Sequence, residues 1–159
     1  MSLRYIIDGY NIIKHPLASR YLNKFKDSRY GLLRFIRDNH LTGSMKNSVL
    51  VVFDGYRGNI ELGSELGIEV IFSQEESADE KIKKLIQNNP NNKSTIVVSD
   101  DREIRFFVKG YNSGTMTVED FISVSKKNKQ RKGEYVKEEL SYSQRLKIDR
   151  ELAKLWLKE

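Results

Sequence analysis

Four short segments constrain this chain more than any other feature: Arg4–Asp8 (RYIID), Ser48–Asp54 (SVLVVFD), Glu69–Ser73 (EVIFS) and Ser94–Asp100 (STIVVSD). Each is rich in β-branched residues and nearly continuously apolar. A strand with one wet face alternates polar and apolar side chains, whereas an unbroken apolar run suits a parallel strand covered on both faces. Helical patterns separate the strands. Ser28–His40 carries Leu32, Leu33 and Ile36 on one stripe, with Ser28 as its expected cap. Ala78–Asn88 carries Ile82, Leu85 and Ile86, and Ser77 with Glu80 forms an S-x-x-E capping box at its start. Asp101–Lys109 carries Ile104 and Val108, and Val118–Lys126 follows a short fifth strand at Thr115–Met116. Strands alternating with helices predict a three-layer α/β/α domain with a central, mainly parallel sheet over residues 1–125.

The remainder, 126–159, reads as a basic C-terminal helical extension. Lys126–Lys132 is a basic connector, and Ser141–Gln144 is a further capping box opening a helix over about 142–158, with Ile148, Leu152, Leu155 and Trp156 as its apolar stripe. This segment holds eleven Lys/Arg against six Asp/Glu, so it carries five of the chain's six formal positive charges. Charge placed this way suits a polyanionic partner such as nucleic acid, although a solvated lysine-rich tail explains it equally well.

Composition excludes several classes. The 159 residues contain no cysteine, which removes disulfides and thiolate zinc sites. No apolar run approaches the roughly 20 residues of a membrane span, and the N-terminus lacks the pattern of a secretory signal. The expectation is a cytoplasmic protein without a membrane partner; oligomeric state is not legible. Neither G-x-x-x-x-G-K-[ST] nor G-x-G-x-x-G occurs, so triphosphate- and dinucleotide-binding loops are not supported.

The polar residues at the strand ends carry the functional argument. Asp8, Asp54 and Asp100 end three strands, and Asp79 falls in the first turn of the helix after the remaining one. In a parallel sheet the strand C-termini and the following helix N-termini share one edge, and ligands bind in the crevice there. Any single aspartate at such a place is well explained as a helix cap: Asp100 with Glu103 matches a capping pattern, and Glu80 is engaged by Ser77. Four together are different, because carboxylates within about 4–6 Å repel and raise one another's pKa unless a cation neutralises them. With neither cysteine nor a histidine cluster, the donors are all oxygen, which favours Mg²⁺ or Mn²⁺ over zinc. Carboxylate-held metal suits hydrolysis of phosphate esters. Asn11, three residues after Asp8, is placed to orient a carboxylate or contact a phosphate; Ser99, Asp101 and Glu80 are further candidates to support the site. Arg57, Lys81, Arg102 and Arg105 supply positive charge near the aspartates, and Tyr10 and Tyr56 offer rings for base stacking; each reads equally well as surface charge or packing.

At these residues the sequence resembles a known family. I-I-D-G-Y-N-I-I at 6–13, V-V-F-D at 51–54, E-S-A-D-E at 76–80 and V-S-D at 98–100 resemble the YacP-like NYN-domain proteins, which group with the PIN-like nucleases. The resemblance implies a PIN-like α/β/α fold and a metal-dependent endoribonuclease. It also implies metal held at Asp8, Asp79 and Asp100, with Asp54 in support, and a ribosome partner at which messenger RNA is cut. Asp101, directly after Asp100, is where relatives vary. The leading expectation is therefore an enzyme cleaving single-stranded RNA. The alternatives are an RNA- or ribosome-binding module without catalysis and a small-molecule phosphohydrolase. The phosphohydrolase reading is weakened because the first strand ends D-G-Y rather than D-x-D, and a receiver-like domain lacks a convincing Thr/Ser and Lys pair.

Overall fold

The computed structural model describes residues 2–58 and 66–125. The chain divides into two compact units, Met1–Ser123 and Val124–Glu159. The expected basic connector and C-terminal helix lie outside the described residues.

The elements run in the order β1 (Arg4–Asp8), α1 (Gly9–Ile13), α2 (Pro16–Leu22), α3 (Ser28–Asp38), β2 (Ser48–Phe53), β3 (Glu69–Phe72), α4 (Ala78–Gln87), β4 (Thr95–Val98), α5 (Arg102–Gly110) and β5 (Gly114–Met116). A further helix, α6, covers 118–125. All four expected long strands form and pair in parallel, with the fifth joining as β5, in the order β3-β2-β1-β4-β5. From β1 the chain proceeds outward to β2 and β3, then returns to add β4 and β5 on the other side. The reversal lies between β1 and β4.

The unbroken apolar runs are explained by two buried faces. Ile6, Leu50, Val52 and Val97 pack against Ala78, Ile82 and Ile86 of α4 and Ile104 and Val108 of α5. The alternate residues Tyr5, Ile7, Val49, Val51, Phe53 and Val98 are also buried, on the opposite side of the pleat. There α1 touches β2, and Tyr5 meets Phe121 of α6 at 6.4 Å between rings.

Two short helices were not expected from the sequence. α1 starts directly after Asp8, and Gly9 permits it: a Cβ there would lie 2.4 Å from Cε1 of Phe53. α2 starts with Pro16, and His15 caps it by accepting the Leu17 amide at Nδ1, a use of proline at the first helical position. Three cap assignments also change or sharpen. Asp27, not Ser28, caps α3 by accepting the Arg29 amide. Asp101, not Asp100, caps α5. Ser77 caps α4 as expected, accepting the Glu80 amide at 3.1 Å.

Candidate active site

The reversal of strand order between β1 and β4 opens a crevice at the C-terminal edge of the sheet, where open α/β sheets bind ligands. Asp8 lies on one side of it, at the end of β1; Ser99, Asp100 and Asp101 follow β4 on the other. Asn11 spans the gap. One turn into α1, its Nδ2 donates to Oδ2 of Asp8 at 2.9 Å, while its Oδ1 accepts the Asp100 amide at 2.9 Å. The side-chain amide thus fixes both the Asp8 carboxylate and the spacing of the two strand ends. Of the two roles expected for Asn11, the geometry realises the orienting one.

Asp8 is 3 % exposed. Burial pushes its carboxyl up to about 6, Asp79 adds to the rise, the Asn11 hydrogen bond opposes it, and Asp101 and Asp54 add smaller repulsions. Asp79, in the first turn of α4, is itself raised by burial, by the charge of Asp101 and by a hydrogen bond between the two side chains, with Lys83 opposing. Four carboxylates therefore act on one another at this edge: Asp8, Asp79, Asp101 and, more distantly, Asp54.

Asp100 is engaged elsewhere. Its Oδ1 accepts the Val118 amide at 2.8 Å and so holds the start of α6. Asp101, expected only to support the site, is the β4-end carboxylate that faces Asp8 and Asp79. It also accepts the Glu103 and Ile104 amides at Oδ1, and Ser99, fully buried, accepts the Asp101 amide at Oγ. Asp54 is exposed; its Oδ1 accepts the Ala78 amide at 3.0 Å and the Ser73 hydroxyl at 3.4 Å, tying α4 to the β2 end.

The remaining candidates scatter. Arg57, Lys81 and Glu80 line a broad cleft beside β3, which none of Asp8, Asp79 and Asp101 lines. That cleft balances Arg4, Arg57, Lys81 and Lys84 against Glu69, Glu75, Glu76 and Glu80, and Glu76 pairs with both Lys81 and Lys84. It is not a polyanion track. Tyr10 is half-buried and packs edge-on against Phe53 at 5.4 Å. Arg102 is exposed at the start of α5, beside Asp101. Sequence reasoning missed Lys83, one turn after Asp79 on α4. It tempers the charge of Asp79 while donating to Glu103 at 2.8 Å, and its i, i+4 spacing from Asp79 was the available signal.

Among the described residues no three His, Asp or Glu side chains are posed to enclose a metal ion by themselves. Mg²⁺ does not require that; it commonly takes one or two carboxylates and completes its shell with waters and substrate phosphate. The donors present are all oxygens, and burial, followed by their mutual repulsion, raises the Asp8 and Asp79 carboxyls. They fit a hard divalent cation.

A five-stranded parallel sheet between helices, with carboxylates at its switch point, defines a PIN-like α/β/α domain. The chain belongs to the YacP-like NYN domain family, whose model matches residues 5–158 and so extends through the segment after 125. This is a PIN-like nuclease family. Two solved structures of Rae1 (YacP) from Bacillus subtilis are similar to it. A tryptophan-to-leucine mutant is 26% identical with a TM-score of 0.62, covering 89% of this chain and 85% of that one. Another crystal structure of Rae1 is 22% identical with a TM-score of 0.56, covering 99% and 94%. No curated protein matches the chain. No helix among the described residues is long and apolar enough to cross a membrane.

Proposed function

We propose that the protein is a metal-dependent endoribonuclease that hydrolyses single-stranded RNA, with messenger RNA on the ribosome as its substrate. The observation that carries the reading is the buried Asp8, held by Asn11 and crowded by Asp79 and Asp101 at the switch point. The ribosome enters through the family resemblance and is the outermost part of the proposal. Asp8 and Asp79 would hold Mg²⁺ or Mn²⁺, with waters and substrate phosphate completing the shell. Asp101, whose charge acts on both, would support them in place of Asp100, with Asp54 behind.

A bound divalent cation supplies activation of water and neutralises charge developing on the phosphodiester oxygens. The chain's own residues do the rest. Asn11 fixes the Asp8 carboxylate against rotation. Burial and then repulsion push the Asp8 carboxyl up to about 6 in the metal-free protein, so a cation bound there would relieve both and hold the group ionised. Ser99 and the Asp101 cap lock the β4 end, and Lys83 limits the charge at Asp79. In the overall reaction a water oxygen bonds to phosphorus, the bond to one ribose oxygen breaks, and that oxygen leaves with a proton.

The test is cleavage of a labelled single-stranded RNA by the full chain with Mg²⁺ or Mn²⁺, against EDTA and against Asp8→Asn. Cleavage should require metal and vanish in a mutant whose circular dichroism is unchanged. A folded mutant that cuts at the wild-type rate removes Asp8 from the chemistry. RNA binding by the wild type with no cleavage under any metal favours the non-catalytic alternative.

A further inference from the structure

The helix that leaves the site has an outward face unlike that of a helix serving only as structure. α5 starts beside Asp101 and runs away from the crevice. Ile104, Phe107 and Val108 turn toward the core. The opposite face presents Arg102, Phe106 and Lys109, all exposed, and Phe106 is 82 % exposed, more than Met45, Tyr56, Leu17 or Tyr111. The spacing is i, i+4, i+7, so the three side chains form one row. At 1.5 Å per residue the row is about 10 Å long. The acid on this helix, Glu103, lies a quarter-turn away and is paired with Lys83. Among the described residues no ion pair engages Arg102 or Lys109.

An isolated exposed phenylalanine is ordinary. One framed by cations a turn on each side, on a helix whose first residue adjoins the carboxylates, matches what single-stranded nucleic acid needs. Aromatic rings accept bases of any sequence, and cations track the backbone. The cleft beside β3 also has rings, Tyr30 and Tyr56, but there Glu69, Glu75, Glu76 and Glu80 offset its four cations.

We propose that the Arg102–Phe106–Lys109 row of α5 is a binding platform for single-stranded RNA entering or leaving the carboxylate site, with one base stacked on Phe106 and phosphates against Arg102 and Lys109. This rests on the endoribonuclease reading. Phe106 and Lys109 are positioning residues, away from the reacting phosphate.

The test is fluorescence anisotropy of a labelled single-stranded RNA with the full chain in EDTA, which prevents cutting. Phe106→Ala should weaken binding about 5- to 100-fold and Phe106→Trp should restore it, as a stacked base requires. Arg102→Gln and Lys109→Gln should each lower the slope of log affinity against log salt by about 0.7, the single-strand value per phosphate contact. Circular dichroism of each variant separates lost binding from lost fold, and Phe106→Trp keeps the test decisive if the alanine variant unfolds. Wild-type affinity and slope in all folded variants overturn the platform, leaving the nuclease reading intact. A wild-type chain that binds no single-stranded RNA overturns both.

Discussion

At the β1/β4 part of the sheet edge, Asp8 is 3 % exposed and faces Asp79 and Asp101. At the β2/β3 part, Asp54 is exposed and accepts a backbone amide and a serine hydroxyl. Asp8 ends β1 and Asp54 directly follows β2, both parallel strands of one sheet. Their environments set them apart. Burial and repulsion raise the Asp8 carboxyl, while amide and hydroxyl donors make Asp54 a tether for the start of α4. The same contrast divides neighbours in the chain: Asp100 holds the start of α6, whereas Asp101 caps α5 and still acts on Asp8 and Asp79. Residue type and sheet edge are shared by all of them; the neighbours at the switch point are what differ.

The largest effect should come from Asp8. Asp8→Asn is expected to lower metal-dependent RNA cleavage by more than about 100-fold, beyond the 10–100-fold typical of residues that only support a metal ligand. Initial rates at saturating Mn²⁺ measure it, and a fall of less than tenfold would erase the distinction between the two parts of the edge. Next comes the pair at the β4 end. Asparagine caps helices as well as aspartate does, so Asp100→Asn and Asp101→Asn both keep the fold. Asp101→Asn should reduce cleavage about 10–100-fold and Asp100→Asn less than about threefold. The reverse order would return the metal site to Asp100.

Proton linkage separates the parts by stability alone. Folding raises the Asp8 carboxyl from 3.8 to about 6. Between those values the native state holds a proton that the unfolded chain has lost, so stability falls as pH rises from about 4 to about 6 and is flat above. Asp8→Asn should therefore stabilise the metal-free protein at pH 7 by on the order of 2–3 kcal/mol and lose that advantage by pH 4. Urea unfolding in EDTA at the two pH values measures it, and a variant less stable than wild type at pH 7 contradicts the burial argument. The smallest effect belongs to Asp54: Asp54→Ala should cost about 1 kcal/mol through the lost amide and hydroxyl bonds, with fold and metal response retained.

The site was partly legible. The strand-end rule placed Asp8, Asp79 and Asp100 at one edge, and Asn11 stood out through its spacing from Asp8. Spacing does not distinguish Asp100 from Asp101, because both follow the end of β4 and the turn there, not a strand pleat, sets where each carboxylate lies. Arg57, Lys81 and Glu80 are close to site aspartates in sequence yet face the cleft beside β3. Chain proximity does not say which side of an element a residue occupies. The helices α1 and α2 leave no signature in the sequence, because five- and seven-residue helices are too short to display a periodic stripe.

What the sequence determined by itself was the fold class: continuous β-branched runs cannot leave a face wet, and helical stripes between them must cover the sheet. It also determined that carboxylates gather at one edge, because every parallel strand ends there. Only the tertiary structure decided the strand order β3-β2-β1-β4-β5 and hence where the crevice opens. It also decided that Asn11 bridges that crevice and that Asp101 rather than Asp100 faces it. Strand order follows from long-range packing of helices on two faces, and the orientation of a single carboxylate follows from which amide donors that packing brings within reach. Neither leaves a mark in residue spacing.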